Sequence, residues 1–471
     1  MKYRNAKIVC TIGPSSSGRE VITSLIKNGM NVARLNFSHG DHPTHKKTIK
    51  LVRDVSQKHK KPVSILQDLQ GIKIRVGLIE GGEIELKRGK TLLLMPREEV
   101  VGNHNRISIS YPALLRDTKQ GDRILLDDGL IQLSVIGKEK NAVKARVIEG
   151  GILKSRKGVN LPRVKLSARS FTEKDENDLI FGLRMGVDYV AISFVRNAGD
   201  LRKVKEWLKG RNQHVPLIAK IEKPEALSNI DEIFSEADGI MVARGDLGVE
   251  IPAEEVPLIQ KALIDKANKR GKIVITATQM LESMTDHMRP TRAETTDVAN
   301  AVIDGTDALM LSAETATGKY PLNALKTMDR IIRYTEFRKE YKSSYIRGKT
   351  FAEATADAAC GAAEYIGAKA LVAFTQSGFT AGLVSKFRPK VPIIAFTPDE
   401  IIRSRMCLYW GVIPKILKLP ATIDEMISNV ERSLIEERII KKGDSIVITS
   451  SSPLTIQGKT NFMKLHRIGE I

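Results

Sequence analysis

Cysteine is scarce. The 471 residues include three, Cys10, Cys360 and Cys407, far apart and without a CxxC spacing. An odd, scattered set excludes a disulfide framework or a zinc cluster and predicts buried, inert thiols. Aromatic residues make up only 5% of the chain, and no run of like charge exceeds two residues, as at Lys60-Lys61 or Lys441-Lys442. Nucleic-acid binders cluster their cations and interleave stacking rings, so the formal charge of +20 does not point to nucleic acid. Long apolar runs are missing too: none reaches the length of a membrane span, and Met1-Lys2-Tyr3-Arg4 leads straight into a strand with no signal-peptide core. The expectation is a soluble cytoplasmic protein with neither nucleic acid nor membrane among its partners. Internal repeats and low-complexity segments are also absent.

What is present is ample core material, 42% hydrophobic residues, enough for two or three domains at this length. The excess positive charge is concentrated. Residues 72 to 167 hold 19 Lys and Arg against 11 Asp and Glu, a net of +8. A basic region facing a phosphate pocket fits that distribution.

Apolar runs without polar alternation read as strands buried on both faces, the habit of parallel sheets with helices packed over them. Such runs are predicted at Lys7–Thr11, Val32–Phe37, Val63–Leu66, Tyr189–Val195, Pro216–Glu222, Gly239–Val242, Lys272–Ala277 and Ala308–Ser312, with amphipathic helices between them. Eight is the number that closes a (β/α)8 barrel. Between the third and fourth runs, from about Ile72 to Leu166, come short alternating segments punctuated by glycine turns, which predict a small inserted β-barrel. After a linker at Arg338–Ser344, further strands alternate with helices and predict an open α/β sheet. The domain expectation is therefore 1–71 with 168–337 for the barrel, 72–167 for the insertion and 338–471 for the C-terminal unit.

In such a barrel the active site lies at the C-terminal strand ends. The residues there are Arg34, Asn36 and Ser38 after strand two, Asp68 after three, Lys220 and Glu222 after five, Asp246 after six and Thr278 after seven. A carboxylate pair with a lysine between them suits a divalent cation and a phosphate beside it, since hard cations take oxygen ligands and keep waters for substrate to replace. For any one pair a strand-end salt bridge is the plainer reading. Convergence of all eight at one rim favours a site. The spacing His39, His42, His45, at a helix start, reads as exposed histidines rather than a metal cluster.

The stretches CTIGP at Cys10–Pro14, GMNVARLNFSHG at Gly29–Gly40, KGVNLP at Lys157–Pro162, KIE at Lys220–Glu222, MVARGDLGVEIP at Met241–Pro252, TATQMLESM at Thr276–Met284, RPTRAETTDVANAV at Arg289–Val302 and LMLSAET at Leu309–Thr315 resemble the pyruvate kinase family, along the whole chain. The resemblance implies a (β/α)8 barrel with a β-barrel lid and a C-terminal regulatory α/β domain, acting on phosphoenolpyruvate and ADP in the last step of glycolysis. It implies Glu222 and Asp246 as ligands of Mg2+ (or Mn2+), and Lys220 as the residue that neutralises the phosphoryl group in flight. Arg34 would hold the phosphate of phosphoenolpyruvate, Gly245, Asp246 and Thr278 its carboxylate, with Thr278 in a water relay that protonates the enolate. Arg75 and Lys157, one at each lid hinge, are similar to the family's nucleotide-phosphate contacts, and a homotetramer is implied.

Many members of that family read DTKGPEIR after strand three and use a potassium ion held by Asn, Ser and Asp groups. Here the stretch is Asp68-Leu69-Gln70-Gly71-Ile72-Lys73-Ile74-Arg75. Lys73 replaces the acidic residue, and its ammonium can supply the charge of the ion otherwise placed at Asn36, Ser38, Asp68 and Leu69, so activity without potassium is expected. Thr375-Gln376-Ser377-Gly378-Phe379-Thr380 is similar to the family's sugar-phosphate effector loop, and a plain strand-to-helix turn is the alternative. The segment Ser450–Lys459 lacks the family's Trp/Arg-rich effector loop, which leaves the phosphorylated effector's identity open. A phosphoenolpyruvate- or pyruvate-binding lyase would share the barrel and its carboxylates, but a lyase needs no nucleotide lid.

Overall fold

The computed structural model describes residues 3–97, 100–338, 350–454 and 458–470. Eight parallel strands close a barrel: Lys7–Thr11, Val32–Asn36, Ser64–Asp68, Tyr189–Ile192, Leu217–Ile221, Gly239–Ala243, Ile273–Ala277 and Ala308–Leu311. The first pairs with the eighth, Lys7 opposite Ala308, and the third with the fourth, Leu66 opposite Tyr189. The insertion therefore leaves the barrel hydrogen bonding unbroken. Strand residues are buried on both faces because two shells use them. Val9, Leu66, Ile218, Met241, Ile275 and Met310 fill the interior, while Ile8, Ala33, Ile65, Val190, Ala219 and Val242 pack outward against helices.

Strand six runs directly into a helix, Arg244–Glu250, where the sequence pattern predicts only a strand end. Gly245 and Gly248 lower the helix propensity of that segment. The helix forms nonetheless, and it places Asp246 in its first turn.

Within the lid, a six-stranded sheet runs in the spatial order Val159–Asn160, Arg123–Leu126, Ile131–Glu139, Ala142–Glu149, Thr91–Met95 and Arg106–Ser108, beside a ribbon of Glu83–Leu86 and Gly151–Lys154. An isolated bridge from Arg75 to Gly158 draws the incoming and outgoing chains together, and another ties Val76 to Ile109 within the insertion. The strands at 106–108, 151–154 and 159–160 are all four residues or shorter.

The C-terminal sheet has the order Val412–Ile416, Ile393–Thr397, Ala370–Phe374, Ser445–Ser450 and Phe462–Arg467, the last antiparallel. Leu408 from this unit joins the apolar cluster inside the barrel. Residues 339–344 of the expected linker lie outside the described residues. No helix of the described residues is long and apolar enough to cross a membrane.

Candidate active site

Arg34, Asp68, Lys220 and Glu222 form one connected network at the barrel rim. Arg34 donates from Nε to Asp68 Oδ2 at 2.7 Å and from Nη1 to Thr11 Oγ1 at 2.9 Å. Lys220 Nζ lies 3.2 Å from Asp68 Oδ1 and 2.8 Å from Glu222 Oε1, and donates to Ser193 Oγ at 2.8 Å. Glu222 Oε2 accepts from the backbone N–H of Phe194 at 2.7 Å, a residue whose φ of +54° turns that N–H inward. Ser193 and Phe194 escape a sequence reading, since nothing in the fourth strand marks them.

Burial opposes charge on Lys220, Asp68 and Glu222, and their partners decide the outcome. Burial works to lower the Lys220 pKa, but Asp68, Glu222 and Asp246 outweigh it and hold it above the usual ammonium value. Burial likewise works to raise Asp68, while Lys220 and Arg34 keep it below the ordinary carboxylate range. Glu222 goes the other way. Burial, reinforced by Asp246, pushes it up to about 7 against the pull of Lys220 and the Phe194 N–H. Among the described residues the exposed carboxylate of Asp246 has no hydrogen-bond or ion-pair partner, and it lines a cleft of about 1010 Å³ whose lid side carries Asp128. Glu222, whose charge burial and Asp246 disfavour, and the unpaired Asp246 carboxylate are oxygen donors of the kind a hard divalent cation completes with substrate and water.

Thr278 has φ +65° and Gln279 φ +54°. A β-branched residue in the left-handed region is strained, at a cost of about 1–3 kcal/mol that the surroundings must hold. Here the Thr278 hydroxyl accepts from Gly245 N at 2.8 Å and donates to Ala277 O at 2.6 Å. Arg244 grips the same turn, donating to Thr278 O at 2.7 Å and pairing with Asp297 at 2.6 Å. A Cβ at position 245 would stand 3.4 Å from Thr278 Oγ1, an ordinary contact, so the approach itself does not demand glycine.

Lys73 is half-buried and has no hydrogen-bond or ion-pair partner among the described residues. Burial and then Arg75 lower its pKa, and Asp246 draws it back. Three of the groups at the monovalent-ion position are engaged: Asn36 Oδ1 accepts from Ser38 N at 3.1 Å, Asp68 Oδ2 from Arg34 at 2.7 Å with Oδ1 ion-paired to Lys220, and Leu69 O from Ser193 Oγ at 2.7 Å. At the hinge, Arg75 donates to Arg156 O at 2.9 Å and Lys157 pairs with Asp127 at 2.9 Å.

Of the Thr375–Thr380 loop, Thr375 Oγ1 accepts from Gly378 N at 3.0 Å, Gln376 donates to Leu454 O and Thr380 meets Thr460 at 2.8 Å. Only the Ser377 hydroxyl faces outward, and with Gly378 it lines a cavity of about 680 Å³ between the C-terminal sheet and the barrel base. Residues 455–457 of the Ser450–Lys459 segment lie outside the described residues. The histidine expectation needs correcting. His39 is exposed, but His45 is 8% exposed, stacked on Phe37 at 4.1 Å and donating to His39 O, while His42 stacks on Phe181 and pairs with Asp178. The Phe37 ring brought in by the fold buries His45, whereas the His42 side chain, 43% exposed, stays open to solvent. Burial pushes the thiols of Cys360 and Cys407 up to about 12 and that of Cys10 higher still, in line with inert cysteines.

Two family models match the chain: "Pyruvate kinase, barrel domain" over residues 3–325 and "Pyruvate kinase, alpha/beta domain" over 353–466. A pyruvate kinase of Geobacillus stearothermophilus is 47% identical over 99% of this chain and 81% of its own length. That of Clostridium perfringens is 44% identical over 99% of this chain and its full length. The crystal structure of a pyruvate kinase from Cryptosporidium parvum superposes with a TM-score of 0.92 at 38% identity, covering 99% of this chain and 96% of that one.

Proposed function

Since the chain belongs to the pyruvate kinase family and is a phosphotransferase, we propose that its rim network passes the phosphoryl group of phosphoenolpyruvate to ADP, with Glu222 and Asp246 holding Mg2+ or Mn2+. The observation that carries this is the Lys220 ammonium, fixed between Asp68 and Glu222 where a phosphoryl group would sit between donor and acceptor. When bound, the cation supplies charge that screens the phosphate oxygens. Arg34 binds the phosphate of phosphoenolpyruvate, the helix start at Gly245 and the Thr278 hydroxyl orient its carboxylate, and Thr278 organises the water that delivers a proton to the enolate. Arg75 and Lys157, on the hinge of the 72–167 lid, contact the nucleotide phosphates, and lid closure excludes water. A coupled assay with phosphoenolpyruvate, ADP and Mg2+ is expected to release pyruvate, and chelation of the metal to abolish it. No pyruvate from the complete mixture would overturn the reading.

Potassium independence belongs to the same proposal. Asn36 Oδ1, Asp68 Oδ2 and Leu69 O already accept hydrogen bonds, and the Lys73 ammonium lies within electrostatic reach of Asp246 and Lys220. Turnover in buffer free of sodium and potassium should therefore match that with added potassium. Lys73→Glu should lose about tenfold or more without potassium, by removing one charge and adding its opposite, and regain activity with the salt. Parent turnover that collapses without potassium sinks this assignment.

Regulation by a phosphorylated metabolite at Thr375–Thr380 and a homotetramer complete the proposal. Exposed Tyr334, Phe337, Phe351 and Tyr365 supply apolar surface for subunit contacts.

A further inference from the structure

Lid and barrel also meet away from the rim network. Asn160, in the two-residue strand at the lid's outgoing end, donates from Nδ2 to Oε1 of Glu250 at 3.0 Å. The same oxygen accepts from Lys223 Nζ at 2.5 Å. Glu250 and Lys223 are each 6% exposed, and Oε2 of Glu250 is buried without a hydrogen-bond partner. A carboxylate this dry depends on both donors, because losing either leaves its desolvation uncompensated.

The chain positions of the three residues give the junction its meaning. Glu250 ends the helix Arg244–Glu250, whose first turn bears Asp246. Lys223 directly follows Glu222. Asn160 stands three residues after Lys157, and its strand pairs with Leu125 and Leu126, next to the Asp127 that holds Lys157. The lid loop at Gly129 approaches the same helix, since a Cβ there would sit 3.7 Å from Val249 Cγ1. One buried carboxylate oxygen thus joins the lid's nucleotide-facing hinge to both segments that carry the metal carboxylates.

We propose that Glu250 is a positioning residue that, through Asn160, sets where the lid stands over the ends of strands five and six. Nucleotide phosphates carried by the lid then meet the phosphoryl group held beside Lys220 in a fixed relation. The substrates named here rest on the phosphotransfer reading above; the junction itself does not.

Asn160→Ala in the full chain keeps the Lys223–Glu250 pair and removes only the lid's link. It is expected to raise KM for ADP about tenfold while KM for phosphoenolpyruvate moves less than about twofold. Asn160→Asp sets two carboxylates together and Glu250→Gln strands the Lys223 charge, so each alone should be worse. The double variant Asn160→Asp with Glu250→Gln restores one carboxylate and one amide, and should bring KM for ADP back to within about threefold of the parent. Equal losses for both substrates, or no recovery in the double variant, would overturn the assignment. Hydrogen exchange of amides 158–162 and 244–250 without substrates provides a readout independent of turnover. Faster exchange in Asn160→Ala supports the junction, and unchanged exchange refutes it even if the parent makes no pyruvate.

Discussion

Lys220→Met is expected to lower kcat by about three orders of magnitude while leaving the fold intact. Methionine matches the length of the lysine stem, so the loss is the charge and its three contacts to Asp68, Glu222 and Ser193. Phosphoryl transfer places its developing charge on the equatorial oxygens, and a fixed cation in a site shielded from water acts there without reorganising. The side chain is 12% exposed, and its carboxylate neighbours keep it protonated well beyond neutral pH. Lys220 also holds Glu222 down to about 7 against burial, so without it Glu222 should charge only at higher pH, and between about pH 6 and 9 the defect should be deepest at the acid end. Steady-state rates across that range, with circular dichroism as the check on folding, measure it. A variant within about tenfold of the parent would refute the role assigned to Lys220.

The barrel was legible because its strands are buried on both faces and carry no polar alternation, as at Gly239–Ala243 and Ile273–Ala277. The rim residues followed from the strand ends, and Arg34, Asp68, Lys220 and Glu222 do meet there. Their supports were hidden. Phe194 contributes a backbone N–H through an unusual φ, which residue identity does not encode. Glu250 meets Asn160 across 90 positions, with no local pattern to reveal the pair. Asp246 was placed at a strand end and belongs to a helix, because tertiary packing overrode two glycines. A helix start reads as exposed, and only the fold could supply the Phe37 ring that covers His45.

Asp307→Asn should cost about 3–5 kcal/mol of stability, the usual loss when one partner of a buried ion pair is removed. Asp307, before the eighth strand, is 1% exposed and accepts from Lys386 at 2.6 Å and Arg388 at 2.9 Å, both from the C-terminal unit. Arg388 is 2% exposed, its Nε and Nη1 have no hydrogen-bond partner, and its guanidinium stands 4.6 Å over the Trp410 ring. Two buried cations thus share one carboxylate, and the asparagine leaves both without it. Burial already pushes Lys386 down to about 8 despite Asp307, and losing the carboxylate must push it lower. Between that lower value and about 8, the unfolded variant binds more protons than the folded one, so its stability rises with pH. The parent's stability gains nothing from Lys386 over that interval, so the deficit shrinks as pH climbs to 8. The chain has two tryptophans, so denaturant titration in a Trp207→Phe background reads the interface through Trp410 alone. Adding Lys386→Met should recover part of the loss, because it removes a stranded charge and keeps the apolar stem. A single variant within about 1 kcal/mol of the parent would mean that the buried cluster does not hold the C-terminal unit to the barrel.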